Sequence, residues 1–331
     1  MIQKEYKELL HILHQKLIPL EAYYEVSTRC NFQCVHCYNK NNNYSELKYD
    51  EIDKVISFIK ESNVLTVILT GGEFFLHPYA LRILDKLYKA KKFELIVYTN
   101  ASLIDDTTAL FLKERNIRLE ISIYGVSPEI YETVTGSAKN YFNVIKGLEI
   151  LDKYKVNYRL KGIVIKQNYK EANEIKKMIT KHNGIETEVE WGIFGHSEEI
   201  KECRLNEEQC IELYRLRKIE KTDGVSFGEC NAGKMQYCIR PDGSIVPCVG
   251  WNNMVIGNVF DDFYKSIVDR FDINKIIDKK IKCHCCEDAA FCNTCPMIFY
   301  QDTGNHMMCS DELCRQAFLA HKIYNEQNTN M

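Results

Sequence analysis

The sequence predicts an α/β chain: a partial (β/α)6 TIM-like barrel over residues 21–220, then a small, loop-rich, cysteine-rich domain over residues 221–331, with a helical segment over residues 1–20 in front. Three observations lead there. Short β-rich runs alternate with stretches of helical apolar spacing through the first two thirds of the chain. The texture changes near Lys221, where Gly, Cys, Asp and Asn rise and helical patterns fade until Asp311–Tyr324. Finally, the 15 cysteines fall into a tight group at Cys30, Cys34 and Cys37 and a field between Cys203 and Cys314, with none from Tyr38 to Glu202.

Taken in order, Met1–Leu17 sets Tyr6, Leu9, Leu10, Leu13 and Leu17 on one side of an amphipathic helix, expected to pack against the barrel. Strands are predicted at Ala22–Ser27, Val64–Thr70, Phe93–Thr99, Ile117–Ile123, Val156–Ile165 and Thr187–Ile193. Helical spacing appears between them at Tyr49–Ile59, Ala80–Tyr88, Asp105–Leu112, Tyr141–Leu151 and Ala172–Ile179. Strands separated by helices read as parallel β/α units. Six such units fall two short of a full eightfold barrel, so an open barrel is expected, with function where strands end and loops begin. Beyond residue 220 there is little core, and clustered metal ligands could hold the segment together instead.

Composition narrows the function. The chain has 331 residues, 45% hydrophobic and 27% charged, which is ordinary for a folded protein and excludes disorder as the main state. Lys and Arg total 43 against 46 Asp and Glu, without the basic excess of a nucleic-acid binder. No apolar run is long enough to span a membrane, and the charged start resembles no secretory signal. A cytoplasmic, reducing compartment is therefore expected, where many cysteines point to metal or redox chemistry rather than disulfides.

Cys30-Asn-Phe-Gln-Cys34-Val-His-Cys37 follows directly on the first strand. Thiolates are the usual ligands of iron–sulfur clusters, and three thiolates on a four-iron cluster leave one iron open for a small molecule. Thr70-Gly71-Gly72-Glu73 ends the second strand, where glycines permit close backbone approach and Glu73 offers a carboxylate to an ammonium group. These features resemble the radical S-adenosylmethionine (SAM) enzymes, whose signature is C-x3-C-x2-C in the loop after the first strand. The resemblance implies a [4Fe-4S] cluster on Cys30, Cys34 and Cys37, with SAM chelated to the open iron. It implies that His36 lies near the adenine and that Gly71, Gly72 and Glu73 hold the methionyl amino group. Thr99, Asn100 and Ser122 would face the ribose and carboxylate, and Ile163 would pack near the adenine.

The second field runs Cys230-Asn-Ala-Gly233, Pro241-Asp242-Gly243, Cys248, then Cys283-x2-Cys286-x5-Cys292-x2-Cys295-Pro296, and finally Cys314 at the head of a helix. Pro-Asp-Gly marks a tight turn between two short strands. The series resembles the SPASM extension behind many radical SAM cores, with two residues rather than the commoner three between Cys292 and Cys295. The resemblance implies two auxiliary four-iron clusters: an inner one on Cys230, Cys248 and Cys295, and an outer one on Cys283, Cys286, Cys292 and Cys314. A fourth inner ligand could be Cys238, Cys203 or Cys210, or the position could stay open. Cys285 and Cys309 are left over, with Cys309 competing with Cys314. Trp191 and Trp251 read chiefly as core.

The resemblance implies reductive cleavage of SAM to a 5'-deoxyadenosyl radical that abstracts hydrogen from a peptide or protein. Thioether or carbon–carbon crosslinking, epimerisation and sulfatase-type maturation are the reactions expected of it. The alternatives are a small-molecule or tetrapyrrole substrate and, outside catalysis, an iron–sulfur electron carrier. A flavodoxin or ferredoxin would supply electrons. With about twenty residues before the first strand, a separate protein, or the cleft itself, is expected to bind any leader peptide.

Overall fold

A computed structural model describes residues 12–13, 15–16, 18–40, 44–90, 92–195, 197–221, 230–251, 253–273, 282–292 and 294–329. The helix expected over Met1–Leu17 lies almost wholly outside them. The described elements run β1 (Glu21–Ser27), α1 (Ile52–Ser62), β2 (Thr66–Gly71), α2 (Ala80–Ala90), β3 (Glu94–Thr99), α3 (Asp106–Glu114), β4 (Arg118–Ile123), α4 (Pro128–Thr135), α5 (Lys139–Tyr154), β5 (Tyr158–Gly162), α6 (Ala172–Asn183), α7 (Glu198–Glu202), α8 (Glu207–Arg215), β6 (Gln236–Ile239), β7 (Ser244–Val246), β8 (Gly257–Asn258), α9 (Tyr264–Arg270), α10 (Pro296–Thr303) and α11 (Asp311–Thr329). They belong to two compact units, residues 1–161 with 231–272 and residues 162–230 with 273–331. The units are interleaved along the chain, whereas the sequence predicts one boundary near residue 220.

The first unit is built on a sheet of order β5-β4-β3-β2-β1-β6-β7-β8. β1 pairs in parallel with β2, β2 with β3 and β3 with β4, as alternating strand and helix patterns require. β2 reads Thr-Val-Ile-Leu-Thr-Gly with its four central residues all buried, the mark of a strand covered on both faces. The helices contribute the matching apolar faces: Ile52, Val55, Ile56 and Ile59 of α1 are buried, as are Ile83, Leu84 and Leu87 of α2. Caps fix where helices begin, with Asp105 accepting from the Thr108 N–H and Ser127 from the Ile130 N–H just before Pro128.

Two features depart from the expected barrel. The run Thr187–Ile193 forms no strand. Its one bridge pairs Glu190 with Ile163 in parallel, through Val164 N–H to Glu190 O (2.7 Å) and Glu190 N–H to Gly162 O (2.8 Å). Its alternation is met instead by burying Val189 and Trp191 in the second unit. The other departure is β6, from the cysteine-rich region, which pairs in parallel with β1 in the register Tyr23↔Cys238. β7 and β8 continue antiparallel from it around the Pro241-Asp242-Gly243 turn. The contact is cemented by Tyr237, whose buried hydroxyl meets Ser62 Oγ at 2.8 Å.

The second unit holds α6, α7, α8, α10 and α11. Asn206 and Gln209 form a reciprocal capping box at the start of α8. Asp302 on α10 accepts from Arg204 (2.7 Å), the Gly195 N–H (2.7 Å) and Ser310 Oγ. Arg315 on α11 grips Glu312 with two bonds and donates to Leu205 O at 3.0 Å. Trp191 is core: it packs edge-on against Tyr214, with the Arg217 guanidinium 4.0 Å from its ring.

Gly147, inside α5, tests how tightly the first unit is packed. An interior helix glycine ordinarily costs about 1 kcal/mol relative to alanine. Here a Cβ would stand 2.1 Å from the Ala101 carbonyl oxygen, and Ala101 is itself in the left-handed region at φ 62°. Gly147→Ala should therefore lower stability by about 1–3 kcal/mol instead of raising it. Chemical denaturation of the two proteins gives the sign directly.

Candidate cofactor site and the cysteine field

The site of the first unit begins with two backbones pressed together. After β2 the chain turns at Gly71, where φ is +126°. The Gly72 N–H then donates to Ser27 O (2.7 Å) and the Glu73 N–H to Arg29 O (2.8 Å). A Cβ at Gly71 would lie 2.3 Å from Ser27 O, and one at Gly72 would lie 2.1 Å from Arg29 O. The two glycines are thus needed for contact with the strand end that carries the cysteine loop, as well as for any approach to a ligand. Arg29 is steadied in turn by Glu46, which accepts from its Nε and its terminal nitrogen, both at 2.8 Å, and from Ser27 Oγ.

Glu73 emerges from this contact as a buried carboxylate, 1% exposed. Its Oε1 accepts from Thr99 Oγ1 (2.7 Å) and the Phe75 N–H (3.0 Å), and its Oε2 from the Asn100 N–H (2.8 Å). Burial raises its pKa, and these three donors offset part of that rise. Among the described residues no cation pairs with it. A carboxylate so held is ready for an ammonium group. Thr99 and Asn100, expected from the sequence to face a ligand, act here on Glu73 itself.

The cysteine loop is tied to the same strand ends. Asn100 Nδ2 donates to Asn31 Oδ1 (3.0 Å), Asn31 Nδ2 to Ser102 Oγ (2.8 Å), and Ser102 back to Asn100 Oδ1. Nothing in the sequence marks Asn31 except its place directly after Cys30. Cys30, Cys34 and Cys37 lie close together: Cys37 opposes ionisation of Cys30, and both oppose that of Cys34. Burial pushes Cys30 up to about 11 and Cys34 up to about 12, with the neighbouring thiols adding to both. The Tyr124 hydroxyl, just past the end of β4, bonds with Cys34 and Ser122. The His36 ring lies 5.4 Å from that of Tyr124. Its pKa is pushed down to about 4 by burial, and its buried Nδ1 has no hydrogen-bond partner. Ile163 lies in the second unit, beyond the end of β5, and accepts from Asn168 Nδ2 at 2.8 Å.

The other cysteines sort by unit. In the first, Cys238 on β6 is fully buried beside Cys248, Glu25 and Arg240. In the second, Cys230 lies near Cys295, whose sulfur accepts from the Met297 and Ile298 N–H groups at the start of α10. Cys283, Cys286, Cys292, Cys309 and Cys314 also gather there. Burial and the neighbouring thiols raise Cys283 and Cys292, and push Cys314 up to about 11. Cys203 and Cys210 are buried elsewhere in this unit, with Sγ contacts to Glu199 O (3.3 Å) and Leu205 O (4.0 Å). All 15 cysteines are free of disulfides. Among the described residues, no group of three or more His, Cys, Asp or Glu side chains could hold a metal ion. A four-iron cluster takes its thiolates at separate corners and does not need the close grouping that a single ion requires.

Residues 24–179 match the radical SAM superfamily. The chain is 26% identical over 303 residues to the antilisterial bacteriocin subtilosin biosynthesis protein AlbA of Bacillus subtilis strain 168, covering 84% of this chain and 67% of AlbA. It is 22% identical to the AdoMet-dependent heme synthase of Methanosarcina barkeri strain Fusaro, covering 86% of this chain and 93% of that one. Its fold is similar to native anSMEcpe with bound AdoMet and Cp18Cys peptide, with a TM-score of 0.68 at 17% identity, over 94% of this chain and 98% of that one. No helix among the described residues is long and apolar enough to cross a membrane.

Thr99→Val keeps the shape of the side chain and removes one donor from the buried carboxylate. It should cost about 1–3 kcal/mol of stability in the cofactor-free protein, read from urea unfolding. A change below a few tenths of a kcal/mol would mean that Thr99 does not support Glu73.

Proposed function

Residues 24–179 form a radical SAM domain, and on that premise we propose that the chain modifies a ribosomally made peptide or a protein by hydrogen-atom abstraction. The observation that carries the reading is Glu73: a buried carboxylate held by three donors, unpaired with any cation among the described residues, on strand ends bonded to a three-thiol loop. The donor set fits the family's cofactors. Cys30, Cys34 and Cys37 would hold a [4Fe-4S] cluster, and Glu73 would take the ammonium group of SAM. When bound, cluster and SAM together supply a 5'-deoxyadenosyl radical able to remove a hydrogen atom from a substrate.

The remaining steps belong to the protein. The Asn31–Asn100–Ser102 network fixes the first cysteine relative to the strand ends. His36, neutral above about pH 4, presents an uncharged ring with one unsatisfied nitrogen, suited to a polar edge such as adenine. Ser122 is tied to Tyr124, which leaves its neighbourhood polar where the ribose and carboxylate would lie. Cys283, Cys286, Cys292 and Cys314, with Cys230, Cys248, Cys295 and Cys238, are proposed to hold the auxiliary clusters.

A peptide substrate is supported by the likeness to AlbA, a protein of bacteriocin biosynthesis. The heme synthase likeness covers as much of the chain at lower identity and favours, as second reading, a tetrapyrrole precursor. A plain electron carrier would have no use for the Glu73 site. A flavodoxin or ferredoxin as electron donor, a separate leader-binding protein and a cytoplasmic setting complete the proposal. Free thiols throughout support that setting. A short cysteine-rich peptide encoded beside this gene, and modified by the enzyme in vitro, would separate the two substrate readings.

Anaerobically reconstituted protein should contain about 12 irons per chain, as three four-iron clusters require. About four would leave the second field without clusters. Cys30→Ala should abolish formation of 5'-deoxyadenosine under reducing conditions, and cleavage that persists would refute the assignment. Glu73→Gln should keep the iron content but weaken SAM binding at least about tenfold, the worth of one charged hydrogen bond, measured by calorimetry.

A further inference from the structure

The five thiols gathered in the second unit are one more than a four-iron cluster uses as terminal ligands. Cys309 is the extra member. Its sulfur is 2.9 Å from that of Cys283, and it is also near enough to Cys292 and Cys314 to oppose their ionisation. Cys286 is likewise near Cys292 and Cys314.

The separation of 2.9 Å decides what Cys283 and Cys309 can do together. Two thiolates on one tetrahedral ion, with metal–sulfur bonds near 2.3 Å, stand about 3.8 Å apart. Thiolates on different irons of a cluster stand farther apart still. Cys283 and Cys309 at 2.9 Å therefore cannot both be ligands as they stand. One sulfur of such a pair must keep its proton and donate it to the other. The SPASM-like spacing includes Cys283 and leaves Cys309 over, but their contact gives both sulfurs the same place. Cys283 lies on the short turn that leads to Cys286, whose N–H donates to Cys283 O. Cys309 lies next to Ser310, which caps α11 by accepting from the Leu313 N–H at 3.1 Å. Both are anchored by the elements that carry the other three thiols.

We propose that Cys283 and Cys309 serve one iron of the outer cluster interchangeably: one sulfur binds the iron while the other donates its S–H to it, and Cys286, Cys292 and Cys314 hold the remaining three irons. In the exchange the iron–sulfur bond to one cysteine breaks as that to the other forms, and one proton passes between the sulfurs. No electron is transferred. The corner is redundant, so loss of either thiol leaves the cluster in place. This rests on reading the field as a cluster site.

The test is the iron and sulfide content, with the visible absorption spectrum, of anaerobically reconstituted full-length protein. The background is the Cys30→Ala/Cys34→Ala/Cys37→Ala variant, so that only auxiliary clusters are counted. Added to it are Cys283→Ser, Cys309→Ser, the pair together, and Cys286→Ser. Each single change at Cys283 or Cys309 should retain the iron of the background protein. The pair, and Cys286→Ser alone, should each leave one iron without a thiolate, read as a changed visible spectrum or as loss of about four irons. Such a change with Cys283→Ser alone, or with Cys309→Ser alone, overturns the redundancy, and so does a double variant whose iron content and spectrum both match the background protein. Far-ultraviolet circular dichroism of each variant before reconstitution separates loss of a ligand from loss of the fold. If a single variant fails to fold, the corresponding Cys→Ala protein is tested in its place. A background protein with no auxiliary iron would instead defeat the cluster reading itself.

Discussion

The contact between the end of β2 and the end of β1 is the constraint on which the candidate site depends. Parallel pairing carries the two strands side by side in register, and the backbone at Gly71 and Gly72 then closes onto Ser27 and Arg29 at distances no side chain would allow. That closure delivers Glu73 to the strand ends and leaves it buried. A buried carboxylate is costly unless its oxygens are occupied. Thr99 of β3 and the Asn100 N–H just past it supply donors, and the Asn100 side chain then reaches Asn31 in the cysteine loop. One steric requirement thus propagates through three adjacent strands to the position of Cys30.

The cysteine field obeys a different logic. Its thiols lie on short turns and helix starts, where backbone N–H groups can reach the sulfurs, as Met297 and Ile298 do for Cys295. Gathering thiols raises their pKa values, because burial and mutual repulsion both oppose the thiolate. Such groups become thiolates cheaply only when a cation arrives, so the fold of these turns and the loading of the site are linked. The surrounding helices do not depend on that linkage. α8, α10 and α11 are held by the Asp302 and Arg315 networks and by apolar burial.

Local patterns made much of this legible in advance. Five of the six anticipated strands and the helices between them follow from apolar periodicity, which a single strand or helix expresses within its own residues. The cysteine triplet and the Gly-Gly-Glu turn could be recognised because each is contiguous. The sixth anticipated strand, Thr187–Ile193, shows the limit of such patterns. Its alternation is real, but burying Val189 and Trp191 satisfies it without a ladder, and only Glu190 bridges to Ile163.

By itself the sequence determined the α/β class, the order of the first five strands, the three-thiol loop and the carboxylate that ends β2, because each depends on residues close together in the chain. Only the tertiary structure decided that β6 from the cysteine-rich region lies along β1, and that the glycines are demanded by a neighbouring backbone. It also decided that Asn31 and Tyr124 support the site, and that Cys309 meets Cys283. The physical reason is the same in each case. These are contacts between segments tens or hundreds of residues apart, selected by steric fit and hydrogen-bond satisfaction in three dimensions, and no periodicity along the chain encodes them.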